Sequence, residues 1–442
     1  MFAGYLAAMP SQPLDFLTYY TPSLMGDMDD LCRIFGCSGQ AAAVAARSDG
    51  HCSMLVKPVF DAAAGVYVDL VAAHTTWGNF ETMTRVFKRY SLPLKGVAAI
   101  SVSFSSYPAC IYSNDDYYQT SAGLMVTETT INNNNQTLDA AVVPTTVLDF
   151  ARNMIANRLA SDGPSWMSTF GRFNSGTYNN MFSVVDYKLF QFSANTLADN
   201  LLWVGEQMPT QWVSEDRTSW LRNQGYFASY NRPSFPLIFN ISNQSALVAQ
   251  WGEHFTCVMS ACVCHLFVAF RISLIDRTLS CAFLHRRYEN TSRGRIFRRE
   301  QHTVVDDVTM LDMIRYNRFQ TDPTGSQTCA PGFASASNAI AERGDLTAPN
   351  SGCCDSCGLS QIDEAAIDAK VTSWARMQSA VAGAGTGSTL AQSGPTFTTQ
   401  PPFRWSTSPF AGVSHVGQPD LWAFAPVSVE WAEQQVPAAK VF

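Results

Sequence analysis

The clearest pattern begins at Cys52. "CSMLVKPVF" and "GVYVDLVAAHTTW" are apolar stretches rich in β-branched and aromatic residues, separated by "DAAAG". They predict two strands joined by a turn. "KGVAAISVSFSSYPACIYS" and "YYQTSAGLMVTETTI" read as further strand regions around the turn "NDD", and "MFSVVDYKLF" as another strand. In "NFETMTRVFKRY", Phe80, Met83, Val86 and Phe87 fall on one helical face and predict an amphipathic helix. "TTVLDFARNMIANRLASDG" predicts a helix stopping at Gly163, and residues 14–36 a helix, a break at Pro22 and a second helix. Strands come first, then helices and more strands, without a repeating strand–helix–strand unit. That order predicts an α+β fold.

Two regions lose periodicity. Residues 322–361 are rich in Gly, Ser, Ala and Cys and read as a long surface loop. Residues 382–402 read as a flexible connector. The aromatic-rich "RWSTSPFAGVSHVGQPDLWAFAP" is expected to pack on the core. "CVMSACVCHLFVAFRISL" is the longest apolar run, but Arg271, Asp276 and Arg277 make it too short for a membrane span.

Composition narrows the function. The chain has 442 residues, enough for one large or two ordinary domains, and 15 % charged residues, low for a globular protein. A net charge of −7 leaves no basic face for nucleic acid. Twelve cysteines permit disulfides without forcing them. Cys262, Cys264 and His265 lack the spacing of a zinc site, and Cys354 and Cys357 suit a local disulfide better than redox chemistry. No metal or cofactor is expected. Asn135, Asn240, Asn243 and Asn290 head glycosylation sequons, which with the cysteines tilts the reading toward a secretory route. "MFAGYLAAMPSQP" does not read as a signal peptide.

Cys52 is the candidate nucleophile. It opens a strand after Gly50-His51, and the hairpin brings His74 alongside, with Trp77 three residues further. His74 offers a base. Alternatively, cutting the His51–Cys52 bond would free an α-amine, of reference pKa about 8, to serve the adjacent thiol. The plainer readings are a buried structural cysteine, a core histidine, and turn-forming roles for Asn174, Asn179 and Asn180. Asp115 and Asp116 read as a hairpin turn.

"DGHCSMLVK", "HTTWGNFETM", "FSSYPACIYSNDDYY", "GLMVTETTI", "NRLASDGPSW", "RFNSGTYNNMF", "ASYNRPSF", "IFRREQ" and "RWSTSPFAGVSHVGQPDLWAFAP" occur in one order along nearly the whole chain. In these stretches the sequence resembles the phospholipase B-like (lamina ancestor) family. The resemblance implies an αββα four-layer sandwich of the N-terminal nucleophile hydrolase type and self-cleavage between His51 and Cys52. It implies His74 and Trp77 beside the nucleophile, Asn174 and Asn179 as oxyanion groups, and Thr130 and Arg158 as orienting groups. The expected activity is hydrolysis of acyl ester or amide bonds of lipids in a lysosomal or extracellular setting. The rival is a catalytically silent luminal protein that binds lipid or a partner. The oligomeric state stays open.

Three departures stand out. Residues 1–51 are expected to be the remnant of a longer propiece, ahead of a hydrolase-like domain over 52–442. Ser326 stands where the family places a cysteine, so Cys329 is expected to lack its local partner. Removing Cys257–Arg287 joins "WGEHFT" to "YENTSRGRIFRREQ" and restores the family pattern, so 257–287 is read as an insertion or a retained intron.

Overall fold

The computed structural model describes residues 20–37, 52–251, 288–327, 329–352 and 359–431. The predicted hairpin forms as β1 (Cys52–Asp61) and β2 (Val66–Gly78), with Cys52 opposite Thr76 and Met54 opposite His74. Seven strands follow as an antiparallel meander: β3 (Val86–Ser91), β4 (Ser101–Ser106), β5 (Tyr117–Thr120), β6 (Leu124–Thr130), β7 (Asn180–Asp186), β8 (Leu202–Met208) and β9 (Gln211–Asp216). The chain then returns to the first sheet. There β10 (Phe227–Ser229) pairs with β1, while β11 (Ala365–Ala366) and β12 (Asp368–Ser373) pair with β2. Next come β13 (Thr389–Ser393), a small pair β14 (Phe403–Arg404) and β15 (Leu421–Trp422), and the edge strand β16 (Val427–Val429).

The two sheets face each other, β1 lying against β6. Strand alternation sorts the second sheet's side chains. Met125, Met181, Val185, Leu202 and Val204 enter the core shared with the first sheet. Leu124, Val126, Phe182 and Val184 point the other way and are covered by Ala156, Trp166, Met167 and Phe170. Those covering residues lie on two helices. With the helix before the hairpin included, the helices used below are α1 (Met25–Phe35), α2 (Asp149–Leu159), α3 (Gly163–Phe170), α4 (Ser292–Glu300) and α5 (Asp307–Ile314). Helix α5 packs on β1, β2 and β12 through Met310, Leu311 and Ile314. Each such fully buried side chain contributes roughly 1.5–3 kcal/mol. The fold is α+β, as expected.

Several elements differ from the sequence pattern. The stretch predicted as a helix over "NFETMTRVFKRY" is a 3-10 turn at Phe80–Thr82 followed by β3, because pairing with β4 satisfies its backbone and Tyr90 packs edge-on against Phe104. Gly163 does not stop a helix. Helix α2 ends at Leu159, and Gly163 opens α3, capped by a reciprocal Asp162–Ser165 box. "YYQTSAGLMVTETTI", read as strand, forms β5 and β6. Among the described residues of the region read as a surface loop over 322–361, the chain is largely irregular, but 335–344 are buried: Arg343 is 1 % exposed, held by Asp345 (2.8 Å) and the Thr396 carbonyl (2.7 Å). The connector over 382–402 contains β13, an interior strand of the first sheet. The C-terminal aromatics do pack inside, with Trp405 and Trp422 around Phe80 and Phe403. Residues 14–19 and 257–287 lie outside the described residues, as do Cys354 and Cys357. Among the described residues no helix is long and apolar enough to cross a membrane.

Candidate functional site

Cys52 is the first residue of β1 and is 1 % exposed. Its backbone is held on both sides. The N–H donates to Asn231 Oδ1 (3.1 Å), and its carbonyl accepts from Arg293 Nη1 (2.7 Å). Arg293 Nη1 also donates to Asn231 Oδ1 (2.8 Å) and Ser53 Oγ (3.2 Å). Asn231 adopts φ +63°, a left-handed conformation that asparagine tolerates, and its Nδ2 donates to the Thr130 carbonyl (2.8 Å). Asn231 therefore joins β6, β1 and α4 at the cysteine. Burial pushes the Cys52 thiol well above its ordinary pKa, and the carboxyls of Asp116 and Glu128 push the same way. Lys370 and the Trp77 backbone N–H oppose them. At neutral pH the sulfur is a thiol.

The hairpin register decides how the neighbours stand. Residues paired directly across strands share a sheet face. Cys52, Thr76, Met54, His74 and Lys370 accordingly lie on the face turned to the second sheet. His74 Nε2 is 2.9 Å from the Glu128 carbonyl, and its ring is fully buried. Burial and then Lys370 hold the imidazole well below its usual pKa, so it is neutral. Lys370 Nζ bonds Thr76 Oγ1 (2.7 Å) and Asp368 (2.7 Å), while Arg85 pairs with Asp115 (2.9 Å).

Trp77 is on the opposite face. Its Nε1 donates to the Ile340 carbonyl (3.1 Å), and the Arg293 guanidinium lies 4.3 Å above its ring centre. It positions Arg293 from beneath rather than facing the thiol.

The other expected site residues are scattered. Thr130 reaches the site through its carbonyl, which holds Asn231. Asn179 is buried, donating to the Gly176 carbonyl (3.0 Å). Asn174 braces the same turn, accepting from Gly176 N–H (2.8 Å) and donating to the Met208 and Gln211 carbonyls. Neither amide is hydrogen-bonded to Cys52 among the described residues. Arg158 lies on α2, on the far side of the second sheet, and donates to the Ala99, Ile100 and Tyr90 carbonyls. It joins helix to sheet, and the sheet separates it from Cys52. Asp115 and Asp116, read as a turn, are fully buried beside the site.

Asn240 and Asn243 are exposed, Asn290 is partly buried, and Asn135 Nδ2 is bonded to the Ile241 carbonyl (2.9 Å). Cys32 and Cys37 form a disulfide, and Cys329 is also disulfide-bonded despite Ser326. His51 and the Cys262–His265 fragment lie outside the described residues. Among the described residues no cluster of His, Cys, Asp and Glu is arranged to hold a metal.

Sequence reasoning missed Asn231 and Arg293. "ASYNRPSF" contains Asn231 before an Arg-Pro pair, the type of position where a left-handed turn occurs. Arg293, in "TSRGR", carries no local sign of burial.

This site defines a class: a cysteine heading a central strand, its amide and carbonyl held by an amide and a guanidinium from distant segments. The family model described as Phospholipase B matches residues 1–262 and 270–429, and the chain belongs to that family. The chain is 39 % identical over 430 residues to "Putative phospholipase B-like 2" of Homo sapiens, covering 95 % of this chain and 64 % of that protein. It is 36 % identical over 414 residues to "Putative phospholipase B-like 1" of Caenorhabditis elegans, covering 92 % and 64 %. Against phospholipase B-like protein B of Dictyostelium discoideum it is 33 % identical over 438 residues, covering 96 % and 66 %. The chain spans about two thirds of the length of the relatives it matches. The family match is interrupted over 263–269, inside the segment read as an insertion.

Proposed function

We propose that this protein is an acyl hydrolase of the N-terminal nucleophile type, with an αββα sandwich, matured by cleavage between His51 and Cys52. The observation that carries the reading is Cys52 at the head of β1 with its own N–H held by Asn231. The Cys52 thiol adds to the His51 carbonyl carbon, the peptide C–N bond breaks, and the acyl group passes to sulfur while the nitrogen takes the proton. Water then hydrolyses the thioester. The new α-amine stays on Asn231 Oδ1 and accepts the thiol proton in later cycles. The thiolate attacks the acyl carbonyl of a lipid ester or amide. The leaving alcohol or amine takes the proton, and water releases the acid. Arg293 fixes the strand end so that sulfur and amine keep one geometry. The lysosomal or secretory lumen fits the exposed sequons Asn240 and Asn243.

N-terminal sequencing of purified protein tests maturation. A chain starting at Cys52 is expected, and Cys52→Ala should remain uncut. Processing of Cys52→Ala identical to wild type would assign the cut to another protease. The second reading, a silent luminal binding protein, draws on the buried, high-pKa thiol. A thiol-directed acyl probe that labels the cut form at Cys52 decides against it.

A further inference from the structure

Helix α1 lies ahead of Cys52 and is docked by acidic side chains. Asp27 is fully buried, and its Oδ1 accepts from Thr177 Oγ1 (2.6 Å) and the Asp149 N–H (3.3 Å). Asp30 Oδ2 accepts from the Tyr178 N–H (2.9 Å). Gly26 lies against the Tyr178 ring so closely that a Cβ there would fall 2.5 Å from Cδ1. Tyr178 has φ +50°, and its hydroxyl donates to Asp116 Oδ2 (2.9 Å), which ties the helix seat to the carboxyls beside Cys52.

This seat is short of positive charge. Asp27, Asp149, Asp116 and Glu128 are all at most 1 % exposed. Asp27 Oδ2, Asp149 Oδ2 and Asp116 Oδ1 accept no hydrogen bond from a donor among the described residues, and the Glu128 carboxyl is set against that of Asp116, where a hydrogen bond between them needs a proton. Arg152 lies 3.9 Å from Asp149, with its donors committed to Val147, Phe170, Ser175 and Gln207. Arg33 is taken by Asp30 and Asp139, Arg85 by Asp115, and Lys370 by Asp368. Tyr112 adds a neutral hydroxyl that accepts from the Gly26 N–H (3.3 Å). Buried carboxylates without donors are costly, and protonation removes the cost.

We propose that α1 is held by protonated carboxyls, so that acid pH fastens α1 on its seat and neutral pH loosens it. The titration supports this geometry. Burial raises Asp27 to about 6 and Asp116 to about 7, and raises Asp149 and Glu128 well above their ordinary values. Folded values above unfolded ones give stability that is full below about pH 4 and lost as pH rises through 6 to 7. The inference does not depend on cleavage or hydrolysis, because it concerns the docking of α1 in the intact chain.

Hydrogen exchange of residues 25–35, corrected for intrinsic rate, tests it between pH 5 and 7.5 on full-length protein. Linkage through Asp27 alone raises the opening constant about tenfold over that interval. The double variant Asp27→Asn/Asp149→Asn should lose the roughly tenfold part of this dependence that Asp27 carries. Protection that is flat in wild type, or a dependence undiminished in the double variant, overturns the proposal. Should the double variant not fold, the wild-type profile decides alone.

Discussion

Asn231 and Cys52 lie 179 residues apart in sequence, yet the Asn231 side-chain oxygen accepts the Cys52 N–H at 3.1 Å. The same oxygen takes Arg293 Nη1 at 2.8 Å. One acceptor thus fixes both the Cys52 nitrogen and the cation on its carbonyl. Asn231→Ala leaves two buried donors without their acceptor, a loss of about 1–3 kcal/mol. Maturation should slow by roughly a hundredfold if the misplaced cysteine loses about 2.7 kcal/mol of positioning. Gel densitometry of the cut and uncut chains, beside a melting curve, checks both. Normal cutting in the variant would remove Asn231 from the site.

Trp77 supports Arg293 from the face opposite the thiol. Trp77→Phe keeps a ring but removes the N–H that reaches the Ile340 carbonyl. About 1 kcal/mol of stability should be lost. Trp77→Ala should cost about 3–5 kcal/mol through the cavity. Because Trp77 acts through Arg293, the Phe variant should retain most of its maturation rate. An equal loss in both variants would place the indole N–H itself in the chemistry.

Glu206 on β8 accepts from Ser234 N–H (2.5 Å), Ser234 Oγ (2.7 Å) and Phe235 N–H (3.2 Å). Burial outweighs these donors and raises its pKa to about 7. A folded pKa above the unfolded one means stability present in acid and lost as pH rises through 7. The contribution is about 3 kcal/mol between pH 4.5 and 8, at 1.36 kcal/mol per pH unit. Glu206→Gln should flatten that part of the melting temperature profile. A profile unchanged by the substitution refutes the assignment.

Gly205, also on β8, faces the Trp212 ring, where a Cβ would lie 2.5 Å from Cζ2 and 2.7 Å from Met167 Sδ. Gly205→Ala must displace the indole or α3. A loss of about 1–3 kcal/mol is expected, read from denaturant midpoints. Gly65→Ala is the contrasting case: nothing lies within 4 Å and the cost comes from φ +70°.

The hairpin β1–β2 was legible because its apolar residues and turn are contiguous, whereas its register, which shifts between Val59 and Phe60, came from the structure. Cys52 and His74 were placed on neighbouring strands by that local logic. The position of Arg158 was not legible, because a charged residue ending a helix looks the same whether it reaches a ligand or, as here, three backbone carbonyls. Segments β3 and β13 were misread for a related reason. A short strand takes its stability from its partner, and the partner's position is absent from the local pattern.

The sequence by itself determined the strand pair that carries Cys52, the α+β order of elements and the family to which the chain belongs. Only the tertiary structure decided that Asn231 and Arg293 close on Cys52, that Trp77 turns away from it, and that Asp27 and Asp149 share one buried seat. Those relationships join residues tens to hundreds of positions apart. They are set by how two twisted sheets and their helices pack, and burial then fixes which of the joined groups carry charge.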